Sequence, residues 1–158
     1  MKTCKCSISV LTELTVIIFI SSLFSCREIK IDKQYFPDGK LSRTTEYKNN
    51  KKHGTMVDYF SNGKIKSIRN FANDHQEGRN IYYYNTGILK EVQYYSEGLQ
   101  VQADSSWDEN GNLTAVMNFQ NGLKHGKLMK FDSLGQVKFS AAYERDSLVE
   151  VNGVILAR

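Results

Sequence analysis

The amino-acid sequence predicts an all-β protein: an elongated antiparallel meander of five 24-residue β-hairpin repeats, closed by a C-terminal capping hairpin. Three observations predict it. Gly39, Gly63, Gly87, Gly111 and Gly135 are spaced 24 residues apart without a slip. Aromatic residues fall every 12: Tyr35, Tyr47, Tyr59, Phe71, Tyr83, Tyr95, Trp107, Phe119, Phe131 and Tyr143. In a chain that is 11% aromatic, chance does not fill all ten slots. Turn signals also recur about every dozen residues, which leaves too little room for helices.

The chain opens on an address. Lys2 and Lys5 give a basic start, and Leu14 to Phe24 is an apolar run too short to span a bilayer. It ends in Leu23-Phe24-Ser25-Cys26, which resembles the bacterial lipobox. That resemblance implies cleavage before Cys26 and lipidation of Cys26, so that residues 1–25 are a lipoprotein signal peptide. An ordinary cleaved signal and an uncleaved anchor are the alternatives. The implied location is the bacterial cell envelope, on the outer membrane, facing the periplasm or the surface. Cys4 and Cys6 lie in the removed segment, so the remaining chain keeps one cysteine and no disulfide. Residues 26–34 read as a tether, and 35–158 as one repeat domain.

Each repeat reads as two short strands. The first turn is Pro37-Asp38-Gly39-Lys40, and its equivalents are Ser61-Asn62-Gly63-Lys64, Asn85-Thr86-Gly87, Glu109-Asn110-Gly111 and Ser133-Leu134-Gly135. Such dipeptides favour tight turns. Two residues after each glycine stands an aliphatic residue: Leu41, Ile65, Leu89, Leu113, Val137. The second turn reads as longer and polar, as in Asn49 to Gly54, Asn73 to Gly78 and Asn121 to Gly126. Repeat three lacks the late glycine and has Val101-Gln102 there. Ile68, Val92 and Val116 break the strict alternation, which implies a bulge or burial on both faces. The aromatic columns are expected to form the core. Asn152-Gly153 between two apolar runs predicts the final hairpin, which covers the sheet edge.

The unit resembles the MORN-repeat variant of bacterial proteins of the YwqK antitoxin type. The residues that carry the resemblance are Tyr59-Phe60-Ser61-Asn62-Gly63-Lys64-Ile65, then Phe71, then Glu77-Gly78. Tyr35 to Gly54 and Trp107 to Gly126 repeat the pattern, and the likeness extends from Tyr35 to about Glu150. It implies a meander of hairpins and, in function, a protein-binding module of antitoxin or immunity type.

Catalysis finds no support. No H-E-x-x-H, nucleophile elbow or phosphate loop is present. His53 and His125 hold equivalent slots three repeats apart, roughly 29 Å at two strands per repeat, too far to share a metal or proton. The formal charge of +4 falls to +3 without the two lysines and one glutamate of the leader. The basic residues are scattered, which argues against a nucleic-acid groove. The reading is a non-enzyme with no cofactor and no metal.

One asymmetry points to a site. The residue after the first aromatic of each repeat is Phe36, Phe60, Tyr84, then Asp108, Asp132. With Tyr82 and Tyr94, the first three give the first repeats an aromatic patch that the last two lack. Exposed aromatic patches mark partner sites. The expected partners are the membrane, through the lipid, and another protein, including a toxin. A structural or assembly scaffold of the envelope is the alternative.

Overall fold

The computed structural model describes residues 28–156. The expected signal peptide and Cys26 lie outside the described residues. Among the described residues, thirteen strands form one antiparallel sheet. They are β1 Lys30–Tyr35, β2 Leu41–Lys48, β3 Lys51–Tyr59, β4 Ile65–Ala72, β5 His75–Gln76, β6 Gly78–Tyr83 and β7 Leu89–Ser96. Then follow β8 Leu99–Trp107, β9 Leu113–Gln120, β10 Leu123–Phe131, β11 Val137–Glu144, β12 Ser147–Val151 and β13 Val154–Ile155. Their order in the sheet is their order in the chain, with short β5 hanging on β4. The predicted meander and its capping hairpin are both present. The sheet starts earlier than expected, because residues 30–34 of the supposed tether pair with β2. Their polar sequence hides a strand that is covered by one neighbour only and needs few apolar side chains.

Both ends of each hairpin follow from local chemistry. The five aliphatic residues after the glycines each open a strand, from Leu41 to Val137. At the far end the chain reverses in two residues, not in a long polar loop. Asn49-Asn50, Asn73-Asp74, Glu97-Gly98, Asn121-Gly122, Arg145-Asp146 and Asn152-Gly153 all have both φ angles positive. That is the geometry whose twist matches paired strands, and Asn, Asp and Gly adopt it most readily. The rest of each polar stretch is strand. It carries an irregularity three to five residues after the turn, where Glu46 stands opposite His53, Gly54 and Thr55. Glu46 Oε2 accepts the Thr55 N–H at 2.9 Å, which satisfies a group the bulge leaves unpaired.

The expected aromatic core needs correction. Of the ten column residues Phe71 alone is buried; the other nine are half-buried or, for Tyr35, exposed. The reason is that every described strand belongs to a single sheet, so no second layer packs on either face. The buried side chains instead form a mixed line along the middle: Met56, Val92 and Ala141 with Thr45, Asp58, Ser67, Asn80 and Asp104.

Paired residues share a face, so the register separates two surfaces. Arg43, Asp58, Ser67 and Tyr82 are in register, with Glu91 opposite Tyr82, and all lie on what we term the front. Val57, Ile68, Ile81 and Val92 are in register on the back, and Val116 and Met129 pair there further along the sheet. Of the two expectations raised by Ile68, Val92 and Val116, the bulge is the one the structure shows. A bulge exists in each hairpin, and the three residues face away from the front.

Candidate functional site

The front surface near the first turns is where the sequence asymmetry acquires a shape. In every repeat one extra residue is inserted at the start of the strand that follows the first turn: Ser42, Lys66, Lys90, Thr114 and Lys138. Such bulges re-aim side chains. Lys66 Nζ lies 5.9 Å from the Phe60 ring centre, and Lys90 Nζ lies 5.5 Å from that of Tyr84. Both are cation–π distances.

The turns explain why an aromatic residue can occupy this slot. Each opens with the same backbone bond, from Gly39 N–H to the Phe36 carbonyl at 2.9 Å and its equivalents. Asp132 Oδ1 caps its own turn by accepting the N–H groups of Leu134 and Gln136, and Asp108 does the same for Asn110 and Asn112. In the first three repeats that work passes to the third residue of the turn. Asp38 accepts from Lys40 N–H, Asn62 from Lys64 N–H and Thr86 from Ile88 N–H. Phe36, Phe60 and Tyr84 are thereby free of any capping role.

Two adjoining clefts result. The first, about 450 Å³, includes Phe36, Tyr59 and Tyr82 as walls, with Arg43, Asp58 and Arg69. The second, about 310 Å³, includes Phe60, Tyr82, Tyr84 and Glu109. Lys66 and Tyr82 belong to both. The structure thus places Phe36, Phe60, Tyr82 and Tyr84 along one continuous surface. Tyr94 does not join them. It pairs with Arg79 one residue from Asn80 and Gln93, so it lies on the back.

The sequence reading missed the polar group beneath the first cleft. Asp58 accepts from Arg43 Nε at 2.5 Å, from Arg69 Nη2 at 2.6 Å and from Ser67 Oγ at 2.8 Å. Burial pushes the Asp58 carboxyl up, but the bonds from Arg43, Ser67 and Arg69 outweigh it and hold it below the ordinary carboxylate range. Four strands on along the sheet, Asp104 has no arginine partner. Burial, with Glu91 nearby, pushes it up to about 6, against bonds from the Tyr94 backbone and the Gln100 side chain. Burial likewise raises Tyr82 and Tyr95. These residues could have been found by aligning the repeats: slots 43, 67 and 91 read Arg, Ser, Glu, then Ala115 and Phe139. The arginine–carboxylate cluster is therefore confined to the first half of the front, whose second half carries Ser106, Ala115, Lys130 and Phe139 in the same row.

Among the described residues, no group of three or more His, Cys, Asp or Glu could hold a metal ion. The pattern of turn, bulge and paired aromatics can now be set beside known repeats. Residues 33–49 and 52–73 match the MORN repeat variant. These MORN-variant stretches are the first hairpin and the start of the second, the part that carries both arginines and Asp58. A search of curated proteins gives no match. Among solved structures, a Glycosylation Associate Protein (Gap123) complex from Streptococcus agalactiae is similar at 18% identity and a TM-score of 0.39. The likeness covers 63% of this chain and 18% of that one, so this chain spans under a fifth of its length.

Proposed function

We propose that this MORN-variant protein is a non-catalytic binding module, held at the bacterial envelope by lipid on Cys26, whose partner is another protein. The carrying observation is the front surface of repeats one to three. There Phe36, Phe60 and Tyr84 sit in a turn slot that needs no aromatic residue, and lysines reach over two of the rings. Aromatic side chains with a polar or cationic rim supply large contact area at low entropy cost, which is how docking sites are built. An immunity or antitoxin-like role, in which the module occludes a toxin, is the form of binding that the family resemblance favours.

The test is a crosslinking pull-down from envelope fractions with the full-length lipoprotein as bait. The control carries Phe60→Ala and Tyr84→Ala. A stoichiometric partner lost with the control supports the module. Recovery of the same partners by both baits refutes the aromatic surface. A second reading, an assembly scaffold, rests on the open sheet edge, where Val154 and Ile155 are 66% and 80% exposed. It predicts self-association that is unaffected by the two substitutions.

A further inference from the structure

The two clefts differ in charge. The second contains Lys66 and Lys90 against Glu91 and Glu109, and is formally neutral. The first contains Arg43, Lys66 and Arg69 against Asp58 alone, and is formally doubly positive. Its arginines are also underused. Asp58 takes one nitrogen from each, and a guanidinium carries five N–H donors. Arg69 Nε is buried and has no hydrogen-bond partner among the described residues. Such a donor is costly to leave unsatisfied. Lys66 is engaged by the Phe60 ring, a contact that leaves its charge uncompensated.

Asp58 also fixes how the arginines present themselves. With an anchor on each, they lose little further freedom when a guest arrives, which is the condition for tight pairing with a planar acceptor. The surroundings select the guest. Phe36, Tyr59 and Tyr82 wall the site, so what enters must be a small anion on an apolar stem. A glutamate or aspartate side chain flanked by apolar residues fits that description. A phosphate dianion would meet the Asp58 carboxylate with twice the repulsion. A flat anionic membrane surface cannot follow a concave, aromatic-walled cleft.

We infer that the cleft between Arg43, Arg69 and Tyr82 is the receptor for a carboxylate side chain of the protein partner. This rests on the binding-module reading and names the chemistry of its anchor. The partner would place an acidic residue over Asp58's two arginines and lay its apolar neighbours against Phe36 and Phe60.

The test uses the full chain in detergent micelles and reads the Nε–H signals of Arg43 and Arg69 by nuclear magnetic resonance. The probes are an acetyl-Phe-Glu-Phe-amide peptide, its Gln counterpart, inorganic phosphate, and vesicles containing anionic phospholipid. The expected result is a saturable shift at Arg69 with the Glu peptide, and binding about 10- to 100-fold weaker with the Gln peptide, the span of a charge-assisted hydrogen bond. Arg43→Gln should weaken the Glu peptide by a similar factor. Arg43→Lys, which keeps the charge but not the fork, should recover part of it. A thermal melt of each variant shows that the fold persists. Equal response to the Glu and Gln peptides, or no shift at Arg69, overturns the inference. So does a shift with phosphate or vesicles but not with peptide, which would reassign the cleft to those anions. The two readings fail separately. A partner captured through Phe60 and Tyr84 but indifferent to Arg43→Gln removes the carboxylate anchor and leaves the module. Loss of all specific capture removes the module.

Discussion

Gln102→Gly should stabilise this protein, although it deletes a whole side chain. The irregularity in each second strand places one residue at positive φ. Gly54, Gly78 and Gly126 hold it at 98°, 75° and 91°. In repeat three the same slot is Gln102, at 63°. A residue with a Cβ in that region is strained by about 1–2 kcal/mol. Against this, glycine gains more freedom in the unfolded chain, about 0.5–1 kcal/mol. Gln102 is exposed, so its side chain offers little burial to lose. The net gain is about 0.5–1 kcal/mol. Over the 129 residues 28–156, the unfolding entropy is about 0.27 kcal/mol/K, so the midpoint should rise by about 2–4 °C. Thermal and urea unfolding of the full chain measure it. The converse changes calibrate the argument. Gly126→Ala adds a Cβ whose nearest neighbour is Asn118 Cβ at 3.5 Å, so it reports φ alone. Gly54→Ala places a Cβ on Glu46 Oε2, the acceptor of the Thr55 N–H, so it should cost about 2–3 kcal/mol. A neutral or destabilising Gln102→Gly would refute the claim that all four slots impose one backbone conformation.

Other expectations follow from the front surface. Asp58→Asn leaves Arg43 and Arg69 without their shared anion and should cost about 2–3 kcal/mol in urea unfolding. The folded pKa of Asp58 is depressed, so its stabilisation is present above the unfolded value near 3.8 and is lost as pH falls through the folded one. Asp104 has the opposite sign. Its folded value of about 6 exceeds 3.8, so the native state binds the extra proton and stability falls as pH rises between them. Asp104→Asn should flatten that decline and stabilise the protein by about 1–2 kcal/mol at pH 7 and above, read from urea midpoints at several pH values. Tyr84→Phe removes the hydroxyl that donates to the Trp107 carbonyl at 2.8 Å, and should cost about 0.5–1.5 kcal/mol in the same assay. Cys26→Ser should abolish incorporation of labelled palmitate and move the protein to the soluble fraction; unchanged labelling would refute the anchor.

The repeat period made the fold legible because a turn needs its own residue types at a fixed place. Gly39 and its four equivalents mark one end of every hairpin, and each aliphatic residue two places on begins a strand. The burial of the aromatic columns was misjudged for a physical reason. Periodicity shows that Tyr47, Phe71 and Tyr95 occupy one slot, but it carries no information about a second layer. The strand at Lys30–Tyr35 was hidden by its composition, since alternating charges on an edge strand look like tether. At the candidate site, Phe36, Phe60 and Tyr84 were visible because they break a column that ends in aspartate. Arg43, Asp58 and Arg69 were not. They come from three strands, and their sequence separations, 15 and 11 residues, match no motif. Tyr94 was misplaced because adjacent strand residues point to opposite faces, which a count of aromatics ignores.

The far turns are stitched to one another. Asp74 N–H donates to the Lys52 carbonyl, Gly98 N–H to Gln76, Gly122 N–H to Gln100 and Asp146 N–H to Lys124, at 2.8–3.0 Å. Each stitch reaches one hairpin and no further. Strands likewise hydrogen-bond to their neighbours in order. Length is therefore a free parameter in this architecture. A 24-residue unit can be added or removed in the middle, and the two new neighbours meet with matching register, matching turns and matching stitches. The protein can grow or shorten like a ruler cut at its graduations, while the charged first repeats keep their own composition.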